Sequence, residues 1–112
     1  MKHIFFLISL CVISSCTKYE ATNSEYKYEV SGTSGSYSVT IQNTDNNTQQ
    51  WSSVSNVWYY SWTQTGTRRL YLSAQNNTAN GNVTVKIIRG GKVVATNTSY
   101  GAYSIATVSG EY

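Results

Sequence analysis

Hydrophobicity in this chain repeats every two residues, and that period restricts it to a fold made of strands. Tyr26, Tyr28 and Val30 alternate with Lys27 and Glu29, and Tyr37, Val39 and Ile41 alternate with Ser36, Ser38, Thr40 and Gln42. Leu70, Leu72 and Ala74 alternate with Tyr71 and Ser73, and Val83, Val85 and Ile87 with Thr84 and Lys86. Val94 with Thr96, and Tyr103 with Ile105, continue the pattern more weakly. Successive side chains of a strand point to opposite faces, so each run buries one face and wets the other. The runs are rich in Val, Ile, Thr and Tyr, which fit a pleated, half-buried surface. Beyond the first fifteen residues no run carries a helical stripe.

Turn-forming clusters separate the runs: Gly32-Thr33-Ser34-Gly35, Thr44-Asp45-Asn46-Asn47, Asn76–Gly81 and Arg89-Gly90-Gly91-Lys92. The Gly90-Gly91 pair is the clearest hairpin signal, because a two-residue loop needs positive φ values that glycine adopts at little cost. Seven or so short antiparallel strands at roughly 8–12-residue spacing predict an all-β domain, an immunoglobulin-like β-sandwich, with a small barrel as the alternative. Proline is absent, so Lys and Asn must guard the sheet edges.

Residues 1–16 are different in kind. Lys2 and His3 give a positive start, Ile4–Ile13 is apolar except for Ser9, and Ser14, Ser15 and Cys16 follow. The apolar run is about ten residues, short of the roughly 20 that a spanning helix needs. This reads as a signal peptide over residues 1–15. Ile13-Ser14-Ser15-Cys16 resembles the lipobox of bacterial lipoproteins, which implies that Cys16 is acylated and becomes the first mature residue. By that resemblance the chain sits in the bacterial cell envelope, extracytoplasmic and lipid-anchored, in the outer rather than the inner membrane. An ordinary secretory signal cut near Ser15, leaving Cys16 as a free thiol, is the other reading. Residues 16–24 read as a polar lipidated tether, TKYEATNS after the cysteine, and residues 25–112 as the folded domain.

Removing residues 1–15 from the 112 leaves 97, enough for one domain. The remaining seven Lys and Arg against five Asp and Glu leave +2, too small and too dispersed for a nucleic-acid footprint. On a strand Arg68 and Arg69 point to opposite faces and make no patch. His3 and Cys11 both fall in the signal segment, so the mature chain has neither a histidine nor, once Cys16 is acylated, a thiol. It can build no Ser–His or Cys–His nucleophile and no zinc site of the His and Cys type. With no disulfide available, stability must come from core packing. We expect a non-enzyme with no cofactor and no metal.

From Tyr26 to Gly110 the order of elements resembles the MmpS-like proteins, small extracytoplasmic β-sandwich domains, in the lipoprotein form of Bacteroidetes-type bacteria. The resemblance runs through Tyr28-Glu29-Val30-Ser31-Gly32, Tyr37–Asn43, Leu70–Asn76, Gly81–Ile87, Gly91-Lys92-Val93-Val94 and Gly101-Ala102-Tyr103. It implies an accessory subunit of an exporter, as in the mycobacterial branch, where such proteins serve MmpL transporters. Two positions depart from the family. Val57-Trp58 stands where a Pro-Trp pair is usual, and Val85 and the neighbourhood of Thr107 stand where mycobacterial members have paired cysteines.

Trp51 and Val57-Trp58-Tyr59-Tyr60-Ser61-Trp62 carry the sharpest expectation. On a strand, Trp58, Tyr60 and Trp62 share one face. Either they pack between the sheets, each ring burying about 150–250 Å², or they form an exposed row that seats a partner. Three functions follow. The first is a non-catalytic accessory lipoprotein binding an envelope or transport protein through a sheet edge or the Trp58–Trp62 segment. The second is a glycan-binding module with Tyr60 and Trp62 as platform and Gln75, Asn76 and Asn77 supplying hydrogen bonds. The third, a hydrolase inhibitor, calls for a charged protruding loop that the sequence does not offer.

Overall fold

A computed structural model describes residues 23–112; the expected signal segment and Cys16 lie outside them. Eight strands follow in order: β1 (Asn23–Gly32), β2 (Tyr37–Gln42), β3 (Thr48–Val54), β4 (Trp58–Thr65), β5 (Arg69–Asn76), β6 (Asn82–Arg89), β7 (Lys92–Tyr100) and β8 (Ile105–Glu111). They form two four-stranded sheets, β4-β1-β6-β7 and β3-β2-β5-β8. Every pairing within them is antiparallel. The described residues are therefore an all-β, two-sheet sandwich without helices.

The two-residue period decides which face of each strand is buried. Tyr26, Tyr28 and Val30 of β1 lie opposite Arg89, Ile87 and Val85 of β6. On the other sheet Val39 and Ile41 of β2 lie opposite Ala74 and Leu72 of β5, and Leu72 in turn faces Val108 of β8. Apart from Arg89, these residues are buried, together with Tyr37, Leu70, Val83 and Ala106. Burying one such aliphatic or aromatic side chain stabilises the fold by roughly 1.5–3 kcal/mol. A one-residue slip of any strand would turn its buried set to water, so register and burial specify each other.

Side-chain volume is distributed unevenly across the sandwich. At one flank, β4 turns Trp58, Tyr60 and Trp62 inward opposite Val30, Tyr28 and Tyr26, and β3 contributes Trp51 opposite Val39. At the other flank, the inward positions of β7 opposite Ile87, Val85 and Val83 are Ala95, Asn97 and Ser99. The inward positions of β8 there are Ala106, Val108 and Gly110. The two sheets come closest on this small-residue flank, where β5 and β8 lie against β6 and β7. Asn97 Nδ2 donates to the Thr107 carbonyl at 3.1 Å and ties the two edge strands together. The section is a wedge, thick with rings at β3 and β4 and thin at β7 and β8.

Four expectations change in detail. There are eight strands, because β3 (TQQWSSV) hides its alternation: Trp51 is the one large ring among polar residues. β1 starts at Asn23, paired with Thr65, so Asn23 and Ser24 belong to the domain and not to the tether. Tyr103 and Ile105 do not mark a buried face; both are exposed, and the inward phase of β8 is Ala106 and Val108. The thin flank has room for alanine and valine where a tyrosine would not fit. Val94 is the extra residue of a bulge, since Ile87 pairs with Ala95 and Ile88 with Val93.

The turns form as their residues dictate. Gly90 and Gly91 both have positive φ, 57° and 81°, as a two-residue hairpin needs. The Asn43 carboxamide oxygen accepts from the backbone N–H groups of Asp45 and Asn47 and closes the β2–β3 turn. Asn76 is completely buried and organises the far end of the sandwich. Its Nδ2 donates to the carbonyls of Asn80 and Gly101, and its Oδ1 accepts from the N–H and hydroxyl of Thr78. All four of its side-chain bonding positions are thus used inside the protein. Asn76→Ala will orphan these groups and cost about 2–4 kcal/mol. Asn76→Asp will do no better, because a carboxylate cannot donate to the two carbonyls. The midpoint of urea unfolding measures both.

Candidate functional site

β4 runs along the edge of its sheet, and strand alternation sends Trp58, Tyr60 and Trp62 inward while Tyr59, Ser61 and Thr63 face solvent. The three inward rings are half-buried and pack against the core with Trp51. They form one continuous aromatic chain. Trp51 meets Trp58 at a centroid distance of 4.9 Å and Tyr60 at 5.9 Å, linking the two sheets. Trp58 stacks on Tyr60 at 6.4 Å, and Tyr60 meets Trp62 at 5.9 Å. Trp62 then stacks on Tyr26 at 5.6 Å and tilts against Tyr28 at 4.8 Å. Such offset and tilted pairs each add about 0.5–1.5 kcal/mol beyond the area they bury.

Polar tips hold the rings in place. Trp62 Nε1 donates to Gln64 Oε1 at 2.6 Å, and Gln64 Nε2 donates onward to the Gly66 carbonyl. The Tyr26 hydroxyl donates to the same carbonyl at 3.1 Å. Tyr28 spans from one sheet to the other: its hydroxyl donates to the Gln42 carbonyl at 3.1 Å and accepts the N–H of Tyr71 at 3.3 Å. Burial raises the Tyr28 pKa to about 12; the bond from Tyr71 and the charge of Arg68 oppose the rise. On the outer face, Lys27 Nζ lies 4.6 Å from the centroid of the Tyr59 ring.

The aromatic segment is therefore brought together as a single unit, joined by Trp51, whose part in it was concealed by the polar composition of β3. The amides considered as hydrogen-bond donors to a ligand are engaged elsewhere. Gln75 donates to the Tyr103 carbonyl, Asn76 is internal, and Asn77 donates to Ser36 Oγ and the Ser52 carbonyl. Two shallow grooves accompany the edges. One of about 420 Å³ is lined by Ser38, Thr40, Gln50, Trp51 and their neighbours in β2 and β3. The other, of about 490 Å³, runs between Val94–Asn97 and Thr107–Ser109 on the thin flank. Among the described residues no three His, Cys, Asp or Glu side chains group as metal ligands. Glu29 and Lys86, opposite each other on β1 and β6, pair at 3.7 Å, a partly exposed surface contact worth about 0–1 kcal/mol.

Neither a protein-family model nor a curated protein matches the chain.

Two predictions separate packing from display. Trp62→Ala removes contacts to Tyr26, Tyr28 and Tyr60 and will cost about 2–4 kcal/mol by urea unfolding. Tyr59→Ala, whose ring is 52 % exposed on the outer face, will stay within about 0.5 kcal/mol of the parent. Tyr28 ionises at about 10 in the unfolded chain and about 12 in the fold, so folding favours its neutral form. The stability this contributes is complete below pH 10 and lost as pH rises through 12. It amounts to about 2–3 kcal/mol. Urea midpoints from pH 9 to 11.5 will therefore fall more steeply in the parent than in Tyr28→Phe.

Proposed function

We propose that the chain is a non-catalytic, lipid-anchored extracytoplasmic domain acting as an accessory subunit for an envelope or transport protein, with Cys16 carrying the lipid. The observation that carries this reading is where the family's cysteine positions fall. Val85 lies buried in β6, and Thr107 lies in β8 between the buried residues Ala106 and Val108. β6 and β8 belong to opposite sheets and pack against each other. The two strands thus pack against each other across the sandwich, with Val85, Ala106 and Val108 turned to the core and Thr107 turned outward, where its hydroxyl bonds that of Ser73.

Cys16 to Asn23 is seven residues, which extend to about 25 Å at most. A lipid on Cys16 would hold the domain close to the bilayer by the end where β1 begins. β4 is a sheet edge with backbone groups open on one side and the half-exposed rings of Trp58, Tyr60 and Trp62 along it. A partner strand adding to that edge would gain main-chain hydrogen bonds and aromatic contact together.

Membrane fractionation combined with in-cell crosslinking tests the reading. The parent protein will sediment with membranes and crosslink to a specific envelope protein. Cys16→Ala will move to the soluble fraction and lose the crosslink. A Cys16→Ala protein that stays in the membrane would remove the anchor, and a parent with no crosslinked protein would remove the accessory role.

A further inference from the structure

Among the described residues, the end of the sandwich farthest from the start of β1 carries no charge. Four segments meet there: residues 31–37, 52–57, 75–83 and 99–105. Backbone and side-chain bonds join them, among them Gly32 to Asn56, Asn77 to Ser36, Gly101 to Gly81 and Tyr103 to Thr78. Every residue in the four is Ser, Thr, Asn, Gln, Gly, Ala, Val, Ile or Tyr. The charged residues lie elsewhere. Glu25, Asp45, Arg68, Arg69, Arg89, Lys92 and Glu111 are near the end where β1 begins or in its turns, and Lys27, Glu29 and Lys86 are on the outer face of the first sheet.

Large side chains project from this uncharged end. Tyr100 is 75 % exposed, and Tyr103 and Ile105 are each 57 % exposed, all within the six residues that carry the chain from β7 to β8. Their backbone is firmly held. Tyr103 has φ 54°, a left-handed conformation uncommon for a bulky side chain. Its N–H donates to the Thr78 carbonyl at 3.1 Å, and its carbonyl accepts from Gln75 Nε2 at 3.0 Å. Gly101 is fixed by the buried Asn76, whose Nδ2 bonds the carbonyls of Gly101 and Asn80 together. Exposed Asn80 is therefore a neighbour of the tyrosine loop.

Backbone strain that holds a ring in solvent, instead of letting it pack, is the arrangement of a prepared contact. Tyrosines on a rigid loop supply contact area at low entropic cost, and Ser, Asn and Gly supply adaptable hydrogen bonds. We propose that this end binds a neutral glycan, with the Tyr100 and Tyr103 rings against the C–H faces of sugar residues and the surrounding amides and hydroxyls on their hydroxyl groups. An acidic polymer finds no countercharge here, and a neutral polyol needs none. The site lies away from the β4 edge and does not depend on the accessory role.

Affinity electrophoresis of the purified full chain through gels containing a glucan, a mannan, a xylan or the acidic control polygalacturonate tests the proposal. At least one neutral polymer will retard the parent. Tyr100→Ala and Tyr103→Ala will each weaken that retardation at least tenfold, while Tyr59→Ala leaves it unchanged. Tyr103→Gly keeps the left-handed turn without the ring, so it separates loss of contact from loss of fold, and its thermal midpoint will stay near that of the parent. Retardation by polygalacturonate alone, by none of the polymers, or equally in parent and tyrosine variants would overturn the assignment. Capture of an envelope protein through these tyrosines without glycan retardation would overturn it as well.

Discussion

Unequal filling between the sheets is the constraint on which the rest of this structure depends. Trp51, Trp58, Tyr60, Trp62, Tyr26 and Tyr28 occupy the β3–β4 side of the core, and alanine, serine, valine and glycine occupy the β7–β8 side. Apolar area removed from water drives the sheets together. The volume of the rings decides how closely they meet on each flank. A domain without a disulfide gains much of its cohesion from the thick flank, where the rings also touch one another.

The polar groups then fix what hydrophobic burial leaves loose. Tyr28 bonds across the sheets, Asn97 bonds across the thin edge, and Asn76 gathers two loops onto one carboxamide. At Gly32 the carboxamide of Asn56 both donates to the carbonyl and accepts from the N–H, continuing the β1–β4 ladder beyond its last residue pair. The same glycine admits the Asn82 carbonyl against its α-carbon, where any β-carbon would collide with it. No buried side-chain nitrogen or oxygen among the described residues lacks a partner, so the polar interior adds definition without a large desolvation cost.

This economy bears on function. The rings of Trp58, Tyr60 and Trp62 pack against the core and leave one margin along the β4 edge. The uncharged far end does the reverse with Tyr100 and Tyr103: they contribute little to the core, and the backbone that carries them is held by hydrogen bonds. Contact area is thus available at two places, one beside the sheet edge and one at the loop end opposite the start of β1. A protein held by its N-terminus would present them at different heights above a membrane.

The buried faces of β1, β2, β5 and β6, the glycine hairpin and the class of fold are legible in the residues, because strand alternation and turn chemistry are local properties. The inward phase of β8 was not, since Ile105 is the more hydrophobic residue and Ala106 the buried one. The strand nature of β3 was not, since its single ring is meaningful only beside Trp58 and Tyr60. Nor could the sequence tell that Trp58, Tyr60 and Trp62 pack inward, or that Tyr100 and Tyr103 stand out. By itself the sequence determined that the chain pairs into strands and which face of most strands is apolar, because a two-residue period allows little else. Only the tertiary structure decided which of its aromatic rings became core and which stayed in water, because that depends on the space left between two sheets.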